Sequence, residues 1–389
     1  MTAPAPEPVS GTRGFLPAVE GLRAAAALGV VLTHVALQTG YTDGVFGRLL
    51  ARFDLAVAVF FALSGFLLWR GHAAAAHGFR AEPAVAPYYR SRLVRIMPAY
   101  LVTVVAVLTL LPDAHGADRA VWIANLTLTQ VSVPKTLIAG LTQMWSLSVE
   151  MAFYLVVPLL ALLAAKLAPR LRIPVIAGVA LLSFGWGYLP IPAYYGANPL
   201  NWLPAYASWF AVGMLLAEWM FRPFSWLHRL ARQRSTLMVV AVVAFLVAAS
   251  PLAMPGGHHH ATLGQFIART ALGAVVAGAL LAPLVLDAPG DQHRVLGSAP
   301  MVTLGRWSYG LFLWHLAALD MVLAMLGQAA FPGALPVVMV LTTTFGFAVA
   351  AVSYALLEEP CRMALRRWEG ERRPTVAGCV SSVRDSWTR

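Results

Sequence analysis

The sequence predicts an all-α, polytopic integral membrane protein of about ten transmembrane helices, with both termini in the cytoplasm. Three observations predict it. The 389 residues are 59% apolar and only 12% charged, with a mean hydropathy of +0.70, whereas a soluble domain carries roughly a quarter charged residues. The apolar residues fall into runs close to the ~20 residues that a helix needs to cross hydrocarbon. The basic residues between the runs segregate to alternate sides.

In order, the runs are 21–39, 52–69, 96–111, 145–165, 173–190, 202–220, 236–252, 265–286, 301–326 and 334–357. The first follows a Pro- and Ala-rich stretch, has Arg23 just inside it and lacks a small-residue cleavage site soon after. It is expected to stay as a helix rather than leave as a signal peptide. Segment 120–140, with Trp122, Pro134 and Lys135, is too short and mixed to span, and reads as an ordered outer loop or interfacial segment. Alternation then places Arg13, the group Arg70, Arg80, Arg90, Arg92 and Arg95, the group Lys166, Arg170 and Arg172, the group Arg222, Arg229, Arg232 and Arg234, Arg294, and seven tail arginines on the terminal side. Only Arg48, Arg52, Arg119 and Lys135 fall on the other. A basic excess marks the cytoplasmic side, and the same bias requires an even number of helices. Residues 1–15 are expected to be a disordered cytoplasmic N-terminus, 16–362 a transmembrane domain of the plasma membrane, and 363–389 a basic cytoplasmic tail.

Composition also excludes partners. The net charge of +11 is nearly all arginine spread between apolar runs, as topology requires, so the lipid bilayer rather than nucleic acid is the expected partner. Cys361 and Cys379 lie in the tail, where reducing cytoplasm implies no disulfide. The run Gly256-Gly257-His258-His259-His260 sits in a short outer loop without carboxylate or cysteine company. Adjacent histidines rarely supply a tetrahedral set, and no metal is expected. The chain has no glycine-rich phosphate loop, serine nucleophile elbow or paired cysteine ligands.

Ionisable groups at membrane depth cost several kcal/mol and tend to mark a site or pathway. In the first run, Arg23 and His34 are eleven positions apart, within roughly 20° of one helix face and ~16 Å along its axis. Glu150 follows Trp145-Ser146-Leu147-Ser148-Val149 near the outer end of its run, and His315 follows Gly305-Arg306-Trp307-Ser308-Tyr309 about 20 Å into its own. These counts bring His34, Glu150 and His315 into one central band. A plainer reading stands beside each: an intramembrane histidine can bond to a carbonyl across helices, Glu150 can be a structural carboxylate with a partner, and Arg92 and Arg95 can be topological charge. Asp54 and Asp320 lie near outer helix ends, where water reaches them, and read as structural.

In arrangement the chain resembles acyltransferase family 3, integral membrane O-acyltransferases, over residues from about 15 to 362. The motifs that carry the resemblance are Arg23 and His34 behind Leu16-Pro17-Ala18-Val19-Glu20-Gly21-Leu22, Phe60-Phe61-Ala62-Leu63-Ser64-Gly65-Phe66, Arg92-Leu93-Val94-Arg95-Ile96-Met97-Pro98, Trp145 to Glu150 with Phe153-Tyr154, Ser308-Tyr309 with His315, and Glu358-Glu359-Pro360. The sequence departs from the family at Ala56-Val57-Ala58-Val59, where a Gly-Val-Asp-like lead is common, and at Glu359, where a basic residue is usual. The words around His34 and Asp54 are similar to the actinobacterial, mycobacterium-type branch.

The resemblance implies transfer of a short acyl group, acetyl foremost, from acyl-CoA as co-substrate to a hydroxyl of a sugar-containing acceptor such as an envelope glycolipid, with no permanently bound cofactor. A macrolide-type antibiotic is the alternative acceptor, and a proton-coupled transporter or flippase is the alternative class. On this reading His34 is general base or transient acyl carrier, Glu150 orients or balances its charge, and Tyr309 and Ser308 donate to the developing oxyanion. Arg23, Arg92, Arg95 and Ser64 hold the donor, its phosphates at the inner mouth.

Overall fold

A computed structural model describes residues 15–191, 198–255, 261–286, 293–327 and 334–371, and among these all regular structure is helical. The helices are α1 (Pro17–Gln38), α2 (Gly44–Ala51), α3 (Ala56–Ala76), α4 (Val85–Leu110), α5 (Arg119–Leu126), α6 (Met144–Ala165), α7 (Pro169–Ser183), α8 (Ala207–Trp219), α9 (Trp226–Ala231), α10 (Arg234–Ala248), α11 (Leu263–Val285), α12 (Ala299–Met325), α13 (Leu335–Ser353) and α14 (Glu359–Glu371). A 3₁₀ turn, Arg52–Leu55, joins α2 to α3, and a π-helical turn, Tyr354–Glu358, joins α13 to α14.

Seven helical segments are long and apolar enough to cross a membrane: Pro17–Gln38, Gly44–Ala76, Val85–Leu110, Met144–Ala165, Leu263–Val285, Ala299–Met325 and Leu335–Glu371. The chain is therefore a multi-pass membrane protein. The other three expected spans are helical but short: α7 and α10 have 15 residues each and α8 has 13, about 20 Å of helix against a ~30 Å hydrocarbon core. In the 173–190 run, Gly185, Gly187 and Pro190 end the helix although hydropathy stays high. In the 202–220 run, Pro204 confines the start to a 3₁₀ turn.

Other boundaries move in the opposite direction. The run expected at 96–111 begins eleven residues earlier, at Val85, so Arg92 and Arg95 are helical rather than a flanking loop. Tyr88 and Tyr89 pin this early part to α6 by donating to the carbonyls of Tyr154 (3.0 Å) and Leu155 (2.7 Å). The last run continues through α14 to Glu371, past the expected start of the tail, where Glu369 meets Arg90 at 2.7 Å and Trp368 lies under its guanidinium. Pro360 has no N–H to donate, and the π-helical turn just before it takes up that mismatch. The segment 120–140 is ordered but begins as helix, in α5, before it continues as a loop: Asn125 donates to the carbonyls of Val121 and Thr136, both at 2.9 Å, and Gln143 beyond it donates to Leu313 of α12 at 3.0 Å. The Gly256–His260 run and Cys379 lie outside the described residues.

Helix association in lipid depends on close packing, since lipid tails are as apolar as the side chains. Gly65 of α3 and Gly213 of α8 supply it: an added Cβ would lie 2.1 Å from the Phe210 carbonyl oxygen and 1.9 Å from that of Ala62 respectively. Gly305 does the same for α12 against α1, where a Cβ would stand 2.1 Å from the Glu20 carbonyl oxygen. The first contact sets Ser64 and the second sets Ser308 and Arg23.

Candidate active site

A narrow cavity of ≈ 60 Å³ lies between α1, α3, α4, α6 and α12, room for a few waters in file. Seven of the eight site residues read from the sequence line it: Arg23, Ser64, Arg92, Arg95, Glu150, Ser308 and Tyr309. They come from five helices. The eighth, His34, is half-buried three turns along α1 from Arg23 and does not line it.

Three arginines line one side of the cavity. Arg23 lies within electrostatic range of Arg95 and Glu150, and 4.0 Å from Glu20, while its buried Nε has no hydrogen-bond partner. Arg92 donates to Ser91 at 3.4 Å and lies within electrostatic range of Arg95, Tyr154, Tyr88 and Glu150. A buried guanidinium N–H without an acceptor is what an anionic ligand would satisfy. Glu150 provides the opposing charge: Ser64 donates to its Oε1, and Tyr154, one turn on, donates to the same atom at 2.7 Å. Glu150 thus belongs with the arginines, and its hydrogen-bond partners are hydroxyls rather than the His34 ring. Tyr154 was legible in the sequence as the residue four places after Glu150, on the same helix face.

Ser308 and Tyr309 reach the cavity with their protons engaged. Ser308 Oγ donates to the Gly305 carbonyl at 2.7 Å and Tyr309 Oη donates to the Ile96 carbonyl at 2.9 Å. Either hydroxyl has to rotate before it can donate to a ligand. Glu358 entered the sequence reading as part of the Glu358-Glu359-Pro360 motif and not as a site residue. It is 4% exposed, its Oε1 is unpartnered, and it stands within electrostatic range of Arg362, Arg95 and Arg23.

His34 and His315, from α1 and α12, meet directly, with ring centroids 4.9 Å apart. Phe312, which lines the cavity, has its ring centroid 6.2 Å from that of His315.

Two more cavities of ≈ 290 and ≈ 300 Å³ follow along the same two helices. On α3 the lining passes from Ser64 and Leu68 to His72 and then Ala75; on α6 it passes from Glu150 and Tyr154 to Pro158, Ala161 and Ala165. These steps of three or four residues keep to one helix face. The three cavities therefore follow one another along the same faces of α3 and α6, and Arg80 and Arg172 line the farthest.

Two charges assigned to topology are structural. Arg172 is 3% exposed and bonded to the fully buried Glu218. Arg52 is 2% exposed and 3.5 Å from Asp54, which also holds Arg269 at 2.8 Å.

A family model described as an acyltransferase domain, that of acyltransferase family 3, matches residues 16–356. The chain is 29% identical over 395 residues to acyltransferase MdmB of Streptomyces mycarofaciens, covering 93% of this chain and 94% of that one. It is 25% identical over 367 residues to O-acetyltransferase OatA of Staphylococcus aureus and 23% identical over 390 residues to peptidoglycan O-acetyltransferase OatA of Listeria monocytogenes. Both of these alignments cover 90% of this chain but 57% and 56% of the relative, so the chain spans just over half the length of those two proteins. No solved structure matches the chain.

Proposed function

The chain belongs to acyltransferase family 3, and on that premise we propose that this membrane acyltransferase moves a short acyl group, acetyl foremost, from acyl-CoA to a hydroxyl of a sugar-containing acceptor of the cell envelope. The single observation that carries the proposal is the cavity that gathers Arg23, Arg92 and Arg95 around Glu150, with a histidine pair beside Phe312 of its lining. The unpartnered Nε of Arg23 favours an anionic ligand there, and the phosphates of coenzyme A are of that class. The cavities that follow Glu150 along α3 and α6 toward Arg80, if they open into one another on binding, offer a thioester arm a way in from the side on which the arginines lie, taken as the cytoplasmic face of the plasma membrane. At ≈ 60 Å³ the inner cavity must widen before it admits that arm.

A thioester already has a good leaving group, so the main task is to make an alcohol nucleophilic. In the proposed step the acceptor oxygen attacks the thioester carbon, the C–S bond breaks, and the hydroxyl proton passes through His34 to the departing thiolate. His34 serves as the general base, a role suited to neutral imidazole near pH 7. Glu150 holds Ser64 and Tyr154 and balances the arginines. Tyr309 and Ser308, once rotated, donate to the oxyanion.

The acceptor class takes support from the relative named as a peptidoglycan O-acetyltransferase. A macrolide-type acceptor is the second reading, favoured by the match that covers 94% of the Streptomyces acyltransferase. Purified protein in lipid nanodiscs should release thiol from acetyl-CoA when an acceptor is present, and His34→Ala should abolish the release. Wild-type turnover by that variant would remove His34 from the mechanism. Arg92→Glu with Arg95→Glu should lose acetyl-CoA binding in a folded sample. Proton-coupled uptake into liposomes without thiol release would instead favour a transporter.

A further inference from the structure

His315 has no part in the mechanism above, yet it is 1% exposed and in contact with the proposed base. Three distances define the pair. His34 Nδ1 lies 2.8 Å from the Val30 carbonyl oxygen, and His315 Nδ1 lies 2.8 Å from that of Phe312. A carbonyl only accepts, so in the neutral rings both Nδ1 atoms carry the proton and both Nε2 atoms carry the lone pair. The third distance orders them: His315 Nε2 lies 3.4 Å from His34 Nδ1. The His34 Nδ1–H is therefore shared between the Val30 carbonyl and the His315 lone pair. His34 Nε2 is left as the basic nitrogen.

We propose that His315 is a positioning residue for acyl transfer, whose Nε2 lone pair joins the Val30 carbonyl in holding His34 in the Nδ1–H tautomer and accepts the strengthened Nδ1–H bond while His34 carries the acceptor's proton. The inference rests on the acyl-transfer reading. In the step, the hydroxyl proton goes to His34 Nε2 as the C–O bond forms and leaves with the thiolate as the C–S bond breaks; His315 neither gains nor loses a proton. It stands where an aspartate stands in a Ser–His–Asp site. A neutral acceptor suits this depth, because a carboxylate there would be charged in hydrocarbon whenever the base was neutral. The Phe312 carbonyl sets the pair the right way round, since a His315 protonated on Nε2 would point a donor at a donor.

The other charged and titratable groups on the elements packed against α1 are few. Helix α13 carries none; α3 has Arg70 and His72 in its last two turns; α2 has Arg48; the 3₁₀ turn has Arg52 and Asp54; α11 has Arg269; α12 adds Arg306, Tyr309 and Asp320. Of these, Asp54 is in electrostatic range of His34, and it is already paired with Arg269 at 2.8 Å. Substituting His315 leaves that pair in place, so a change in pH profile reports on the imidazole contact.

The test uses the full chain in nanodiscs with ¹⁵N-histidine labelling, His34 being assigned by difference from His34→Ala. Wild type should show His34 protonated on Nδ1 alone at pH 8. His315→Gln keeps an acceptor near the Nε2 position and should keep the wild-type Nδ1–H signal; His315→Leu fills the space without an acceptor, leaves that N–H to the Val30 carbonyl alone and should shift the signal. With acetyl-CoA as donor and octyl glucoside as acceptor probe, His315→Leu should lower kcat roughly 10- to 100-fold with KM for acetyl-CoA unchanged. The acid limb of its kcat profile should move to lower pH, because losing the acceptor disfavours protonated His34. His315→Gln should recover most of the rate. A wild-type His34 protonated on Nε2, or a His315→Leu variant with the wild-type Nδ1–H signal and acid limb, would overturn the proposal, and the first result needs no variant to fold. Failure of the acyl-transfer reading looks different: no thiol release by wild type, or full release by His34→Ala, with the tautomer of His34 as stated.

Discussion

Replacing Glu218 by glutamine tests the junction of α3, α7 and α8. The carboxylate is fully buried: its Oε1 accepts from Trp69 Nε1 and from Arg172 Nε, both at 2.7 Å, with Arg172 Nη2 also 2.7 Å away, and Oε2 lies 3.9 Å from His77 Nε2. Glutamine keeps the shape and one acceptor oxygen, so the Trp69 bond can survive. What it removes is the charge opposite Arg172, a guanidinium only 3% exposed. Losing one neutral hydrogen bond would cost about 1 kcal/mol, whereas uncovering a buried charge costs about 3–5 kcal/mol. The second term dominates, and the expected loss is in that larger range. Unfolding by SDS titration in bicelles measures it. Arg172→Met should cost a similar amount, and the double replacement Arg172→Met with Glu218→Gln should cost far less than the sum, with a coupling of about 2 kcal/mol or more. A Glu218→Gln variant within about 1 kcal/mol of wild type, or an additive double variant, would refute the claim that the pair's charge organises this junction.

The same assay addresses packing, because Gly213→Ala places a Cβ 1.9 Å from the Ala62 carbonyl oxygen and 2.4 Å from the Phe66 nitrogen; separation of α3 from α8 should cost about 1–3 kcal/mol, and an unchanged midpoint would show the helices to be freer than this geometry allows. His77, just beyond α3, has its imidazole pushed below the ordinary value of 6.5 chiefly by burial, with nearby Glu218 pulling the other way. The unfolded chain therefore takes up that proton first on acidification, so stability should fall as pH drops below about 6.5. The fall should be complete once the folded imidazole is also protonated, and His77→Asn should flatten part of it; an identical pH dependence in the variant would exclude His77 as the cause. Tyr309→Phe separates two roles: loss of its bond to the Ile96 carbonyl alone predicts about 1 kcal/mol of stability, whereas a part in holding the oxyanion predicts a kcat roughly 100-fold lower. Steady-state kinetics on folded protein distinguish them, and an unchanged kcat would remove Tyr309 from the chemistry.

Much of the site was legible because depth along a helix follows from counting. The spacing of Arg23 and His34 along α1, Glu150 on the second turn of α6 and His315 deep in α12 all come from a rise of 1.5 Å per residue, whereas Arg92 and Arg95 were drawn to the site by the family resemblance. What counting could not supply was the direction in which each group turns. Glu150 turns to Ser64 and Tyr154, His34 to His315, and Ser308 and Tyr309 to backbone carbonyls. Arg172 and Arg52 read as topological charge because composition cannot tell an arginine at a loop from one paired with Glu218 or Asp54. Gly65, in the Ser64-Gly65-Phe66 motif, reads as part of a signature, and its physical role as the contact point with Phe210 emerges only when α8 is laid against α3.

By itself, the sequence determined that the protein lives in a membrane, the order of its long helices and the depth of its ionisable groups, since hydropathy and helical rise are properties of one chain segment at a time. The tertiary structure alone decided which of those groups face one another and that a histidine stands behind the proposed base. Pairing depends on how each helix is rotated about its axis and how closely two axes approach. Those quantities are set by contacts such as Gly213 against Ala62 and Gly305 against Glu20, between residues distant in the chain.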